Sequence, residues 1–224
     1  MKLKAKGFLF DLDGTLADSL AVVERCWCLF GDRIGEDKQA IIDYIHGKPA
    51  MTTLRHFLPN ASEGELQSHF RWLEKMESED MDGVVALPGA IALLSSLNKL
   101  GAPWAIVTSG TVPIAHGRRA AAGLPEPKYW VTFEKVSKGK PDPEPFQLGA
   151  KSLSLSPEDC IAFEDAPAGI HSALSAGCQV IAVHAPEGML RRDEISAIIS
   201  TLEQISVTGP DNNGYFELFV SKNA

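Results

Sequence analysis

The sequence predicts an α/β protein: a parallel sheet crossed by helices, with an all-helical insertion directly after the first strand. Three observations predict it. From residue 91 onward, short apolar runs alternate with helical stretches. One further apolar run, Gly7–Phe10, stands alone near the N-terminus. Between them, residues 18–80 carry helical periodicity only. The chain therefore divides into a core, residues 1–17 and 81–224, and an insertion, residues 18–80.

Each element has its own signal. Gly7–Phe10 is a buried strand that ends at Asp11. Residues 18–31 open on the cap candidates Asp18 and Ser19 and place Leu20, Val23, Trp27 and Phe30 at helical spacing. Residues 36–45 form a second helix, stopped at His46-Gly47. Pro49 opens a third, through Leu58. Residues 62–80 form a fourth, started by the capping box Ser62-x-x-Glu65. In the second half, helices at 91–100, 113–122, 143–153 and 167–176 alternate with strands at 104–107, 129–132, 160–163 and 180–183. Gly101 and Gly177 end two of those helices. The tail V-T-G-P-D-N-N-G-Y-F-E-L-F-V reads as two strands around an Asn213-Gly214 turn.

Composition excludes several classes. A chain of 224 residues with 45% apolar and 22% charged residues has an ordinary globular balance. A net charge of −8 repels nucleic-acid phosphates. The four cysteines, Cys26, Cys28, Cys160 and Cys178, are too few for a disulfide framework at this length and read as free thiols. The apolar stretch after M-K-L-K-A-K stops at Asp11, too short for a signal peptide, and no run approaches a membrane span. A cytoplasmic monomer with neither nucleic-acid nor membrane partner is expected.

In open parallel sheets, ligands sit beyond the carboxyl ends of the strands. Here those ends carry Asp11-Leu12-Asp13, Thr108-Ser109-Gly110 and Glu164-Asp165, and the loop after the third strand carries Lys138-Gly139-Lys140-Pro141. Several carboxylates in one crevice repel one another, and all-oxygen ligands suit Mg²⁺. Hydroxyls, backbone N–H groups around Gly110 and a lysine suit a phosphate. Together they point to phosphoryl transfer through an aspartyl phosphate. Asp11 is read as the ionised nucleophile. Asp13, turned back by Gly14, protonates the leaving alcohol and then deprotonates water. An EF-hand reading of D-x-D fails, because the glycine comes too early and the twelfth position is Val22.

These motifs resemble those of the haloacid dehalogenase-like (HAD) phosphohydrolases. D-L-D-G-T-L-A-D-S, I-V-T-S-G, K-G-K-P-D-P-E-P-F and F-E-D-A-P-A-G-I-H-S-A-L-S-A-G are similar to the family's four motifs, in order and nearly end to end. The resemblance implies a Rossmann-like core with an all-α helical cap of subclass I at the insertion. It implies that Asp11 is the nucleophile and a Mg²⁺ ligand. Asp13 is implied as the acid/base, giving a backbone carbonyl to the metal. Thr108 and Lys140 would hold the phosphoryl group, with Ser109 and Gly110 beside it, and Asp165 with Glu164 would complete the metal site. Within the family the chain is similar to bacterial sugar and hexitol phosphatases, near the 2-deoxyglucose-6-phosphate and glycerol-phosphate phosphatases. The stretch I-H-G-K-P-A-M-T-T-L-R-H-F-L-P carries that likeness, so His46, Gly47, Lys48 and Arg55 are candidates to meet a sugar or polyol phosphate. Two alternatives stand beside a phosphatase: a phosphomutase of the β-phosphoglucomutase kind, against which Thr15 leans, and a sugar-phosphate-binding protein without catalysis.

Overall fold

The computed structural model describes residues 1–45 and 49–221. The chain opens with β1 (Lys2–Ala5), β2 (Gly7–Phe10) and β3 (Ala17–Asp18). Four helices follow: α1 (Leu20–Ile34), α2 (Lys38–Ile45), α3 (Ala50–Phe57) and α4 (Glu63–Glu79). Next come β4 (Val85–Ala86), α5 (Ala90–Leu100), β5 (Trp104–Val107), α6 (Val112–Ala121) and β6 (Tyr129–Val131). The last third holds α7 (Glu144–Ser152), β7 (Cys160–Glu164), α8 (Pro167–Ala176), β8 (Gln179–Val183), β9 (Ala197–Ile199), β10 (Ile205–Thr208) and β11 (Phe216–Val220).

The main sheet runs β6-β5-β2-β7-β8-β9, with every neighbouring pair parallel. The chain leaves β2 toward β5 on one side and later crosses back to β7 on the other. The carboxyl end of β2 therefore lies at the point where strand order reverses, where a crevice opens between the diverging loops. Strands β2, β5 and β7 are buried along their whole length, which is why they read as unbroken apolar runs. Their alternate side chains serve opposite faces. Phe8 and Phe10 join the core shared with α5 and the helical insertion, and Phe10 stacks on Phe163 at 4.6 Å. Leu9 joins the core under α7 and α8.

The insertion is bracketed by a two-stranded antiparallel ladder. β3 pairs with β4, Ala17 opposite Ala86, so the chain enters and leaves the helices side by side. The Ser62–Glu65 capping box forms as predicted. Helix α1 runs past Gly31 to Ile34 and ends on Gly35 at φ 77°. Gly31 is retained inside the helix because α2 packs there: a Cβ would come within 3.3 Å of Ile41. The predicted stop at His46-Gly47 lies outside the described residues.

Three features go beyond the sequence reading: β9, the β3–β4 ladder and β1. β1 pairs with β11, and β11 with β10, in a separate antiparallel sheet around the expected tail hairpin. The four cysteines are free thiols. Among the described residues, no helix is long and apolar enough to cross a membrane.

Candidate active site

The carboxyl ends of β2, β5 and β7, with the loop before α7, meet on the floor of a cavity of about 770 Å³. Asp11, Asp13, Thr108, Ser109, Gly110, Lys140, Glu164 and Asp165 all line it. The helices of the insertion form its opposite wall, including Leu20, Trp27, Met51, Phe70, Glu74 and Glu77. Phe70 of α4 touches Phe133 of the core, ring centroids 5.6 Å apart.

Lys140 is the centre of the floor. Its Nζ donates to Asp11 Oδ1 at 2.5 Å, Glu164 Oε1 at 2.6 Å and the Val107 carbonyl at 2.9 Å. Glu164 uses its other oxygen to accept the N–H groups of Asp165 and Ala166 at 3.0 and 3.1 Å. Thr15 donates its hydroxyl to Asp165 Oδ1 at 3.0 Å. The tight turn after Asp13 depends on Gly14 at φ 85°, because a Cβ there would run into the Asp165 carboxylate. Thr108 Oγ1 accepts the Gly110 N–H at 3.0 Å, so that amide is turned toward the loop itself.

The electrostatics follow from burial. Burial opposes the charge on Lys140, but Asp11 and Glu164 outweigh it and hold the ammonium above its ordinary value. Burial pushes the Asp11 carboxyl up to about 8, with Glu164 and Asp13 adding to the rise and Lys140 opposing it. Asp165 goes up to about 7, through burial and then the charge of Asp11. Glu164 is raised by burial first. One ammonium does not balance two buried carboxyls and a third, Asp165, that is half-buried beside them. Asp11 as a plain ionised nucleophile at neutral pH thus holds only once further positive charge reaches the cluster.

A divalent cation fits that deficit. Asp11, Glu164 and Asp165 each offer a carboxylate oxygen, and these atoms lie within 4.8 Å of one another. An all-oxygen donor set of this kind suits a hard ion. The Asp13 carboxylate is outside the cluster. It accepts from Ser19 Oγ at 2.6 Å and pairs with Arg118 at 2.9 Å.

The insertion candidates fare differently. Arg55 is exposed, pairs with Glu63 at 3.2 Å and does not line the cavity. It misses the cavity because α3, the helix that carries it, buries Thr53 and Leu54 instead. His46, Gly47 and Lys48 lie outside the described residues. The sequence reading passed over Thr15, Ser19, Glu74, Glu77 and Arg118 as site residues. Arg118 did carry a signal: it falls on the buried stripe of α6, in step with Ile114 and Ala115.

Comparison with known proteins places this geometry. The family profile of haloacid dehalogenase-like hydrolases matches residues 5–177. Hexitol phosphatase A of Escherichia coli (strain K12) is 51% identical over 210 residues, covering 94% of this chain and 97% of that protein. Glycerol-1-phosphate phosphohydrolase 2 of Saccharomyces cerevisiae is 31% identical over 224 residues, covering 93% of this chain and 87% of that protein. Among solved structures, a HAD hydrolase of family IA, variant 3, from Entamoeba histolytica superposes with a TM-score of 0.79 at 25% identity, covering 89% of this chain and 95% of that one.

Proposed function

The chain belongs to the haloacid dehalogenase-like hydrolases, and from that premise we propose that it is a Mg²⁺-dependent phosphatase of small sugar and polyol phosphates, hexitol phosphates among them. One observation carries the reading. A buried carboxylate paired with an ammonium, Asp11 with Lys140, lies beside the partly exposed acid Asp13 on the floor of a cavity that the helical insertion walls on one side. Asp11 attacks phosphorus and forms the aspartyl phosphate, and Asp13 moves the protons. Lys140 and Thr108 hold the phosphoryl group, with Ser109 and Gly110 beside it. Mg²⁺, held by Asp11, Asp165, Glu164 and the Asp13 carbonyl, would offset the charge of the phosphoryl oxygens.

The substrate class rests on the cavity wall and on the hexitol phosphatase relative. The wall supplied by the insertion is mostly apolar, and Glu74 of α4 adds a carboxylate that accepts from hydroxyl groups. A hexitol chain presents several such hydroxyls.

The test is phosphate release from hexitol, hexose and glycerol phosphates, with Mg²⁺ and again with a chelator. Metal-dependent release favouring six-carbon substrates is expected. An isomerised sugar phosphate without free phosphate would replace the reading with a mutase. Tight binding without turnover would replace it with a binding protein.

A further inference from the structure

Asp13 is held from two sides of the cavity. Arg118 of α6 is 4% exposed, and its Nη1 pairs with Asp13 Oδ1 at 2.9 Å. Its Nη2 donates to Glu77 Oε2 of α4 at 2.5 Å. Ser19 donates to the same Asp13 oxygen at 2.6 Å. Both donors therefore take Oδ1. The other oxygen, Oδ2, has no protein partner among the described residues, in a side chain that is 25% exposed and lines the cavity.

The arginine is an unfavourable choice for stability alone. Its Nε is buried without a partner. A buried ion pair of this kind is often no better for stability than apolar packing. The two helices also pack beside it: a Cβ on Gly117 of α6 would lie 3.8 Å from the Ser78 carbonyl of α4, and 2.5 Å from Cε of Met81 in the segment that follows α4. Arg118 is thus a charged pin where the insertion's last helix rests on the core. One end of the pin is in the insertion and the other on the acid/base aspartate.

We propose that Arg118 and Glu77 are a positioning pair that ties the helical insertion to Asp13 and aims Oδ2 at the substrate's leaving oxygen. The inference rests on the phosphatase reading. In the first half-reaction an Asp11 oxygen bonds to phosphorus as the phosphorus–alcohol bond breaks. The electron pair of that bond stays on the alcohol oxygen, which takes the proton from Oδ2. In the second half, a water oxygen bonds to phosphorus and gives its proton to Oδ2. Asp11 leaves with the electron pair of its own phosphorus bond.

The experiment compares kcat/KM for two esters, because that ratio covers the steps through loss of the alcohol. Sorbitol 6-phosphate has a basic alkoxide leaving group that needs the proton. p-Nitrophenyl phosphate has a stable phenolate that does not. Arg118→Met is expected to lose on the order of 10²-fold with the hexitol ester and less than about ten-fold with the nitrophenyl ester. Glu77→Gln preserves shape and is expected to show the same skew at smaller size. Arg118→Lys, which keeps the charge, is expected to recover part of the difference. If Arg118→Met does not fold, the other two variants carry the comparison. Equal losses on both esters, or no loss on either, would overturn the inference alone. An unmodified protein that releases phosphate from neither ester would overturn the phosphatase reading, and the inference with it.

Discussion

Gly169→Ala sets two effects of opposite sign against each other. Gly169 lies in the first turn of α8, and alanine in a helix is ordinarily about 1 kcal/mol better than glycine. Here the added Cβ would coincide with the Glu164 carboxylate. Glu164 is 1% exposed and holds Lys140 with one oxygen and two backbone N–H groups with the other. It has nowhere to move without giving those contacts up. Breaking a buried charge pair costs about 3–5 kcal/mol, so the net effect is a loss of roughly 2–4 kcal/mol. For a chain of this size that corresponds to a fall of about 4–16 °C in melting temperature. Thermal unfolding followed by circular dichroism reads the shift, and phosphate release reads the displaced Lys140. A variant more stable than the parent, as helix propensity alone demands, would refute the view that Glu164 is locked beneath α8.

Three further outcomes are expected. Asp11→Asn should remove turnover while the far-ultraviolet spectrum stays unchanged, because an amide does not attack phosphorus; substantial residual phosphate release would exclude the covalent route. Asp165 at about 7 and Asp11 at about 8 lie above their unfolded values near 4, so the folded state binds more protons than the unfolded one across that window. Metal-free protein therefore loses stability from these groups as pH rises from about 4 to about 8, and a cation bound to the deprotonated pair restores it. The melting-temperature gain from millimolar Mg²⁺ should be larger at about pH 8 than at about pH 5.5, and an equal gain at both would contradict the assignment. Glu74→Gln should change the ratio of hexitol to glycerol phosphate turnover several-fold while altering p-nitrophenyl phosphate little, as measured by parallel kcat/KM values.

What the sequence revealed and what it hid follow from the range of the forces involved. The apolar runs of β2, β5 and β7 were legible because both faces of the strand are buried, leaving no polar interruption. Glycine stops and the Ser62 capping box were legible because they are local. β1 was harder: Lys2-Leu3-Lys4-Ala5 alternates as a strand should, but its partner β11 is more than 200 residues away. At the site, the floor residues could be placed because each follows a strand whose carboxyl end must face the crevice. Glu77 could not, since it sits among charged neighbours on α4 that read as solvated surface, and Arg118, though in step with the apolar Ile114 and Ala115, has its partners on segments far away in the chain. Only the packing of α4 on α6 turns them inward. Arg55 shows the reverse, a basic residue in a promising stretch that the fold directs to Glu63.

The motif D-L-D owes its use to this division of surroundings. Residues two apart at a strand end share a face, so Asp11 and Asp13 both reach the cavity while Leu12 between them is buried in the core. Spacing alone would make them equivalent, and two equivalent acids would serve the chemistry badly. The third dimension separates them. Asp11 is buried against an ammonium supplied by the loop before α7. Asp13 is partly exposed, anchored through one oxygen by a hydroxyl of α1's cap residue and a guanidinium of α6. The burial of Asp11 suits the nucleophile's role proposed for it, with its charge set by the cluster around Lys140. Asp13 keeps Oδ2 without a partner among the described residues, which suits the proton transfer proposed for it. The sheet brings the two acids together, and the cations placed by two later segments of the chain, Arg118 and Lys140, give them the different surroundings that the proposed division of work requires.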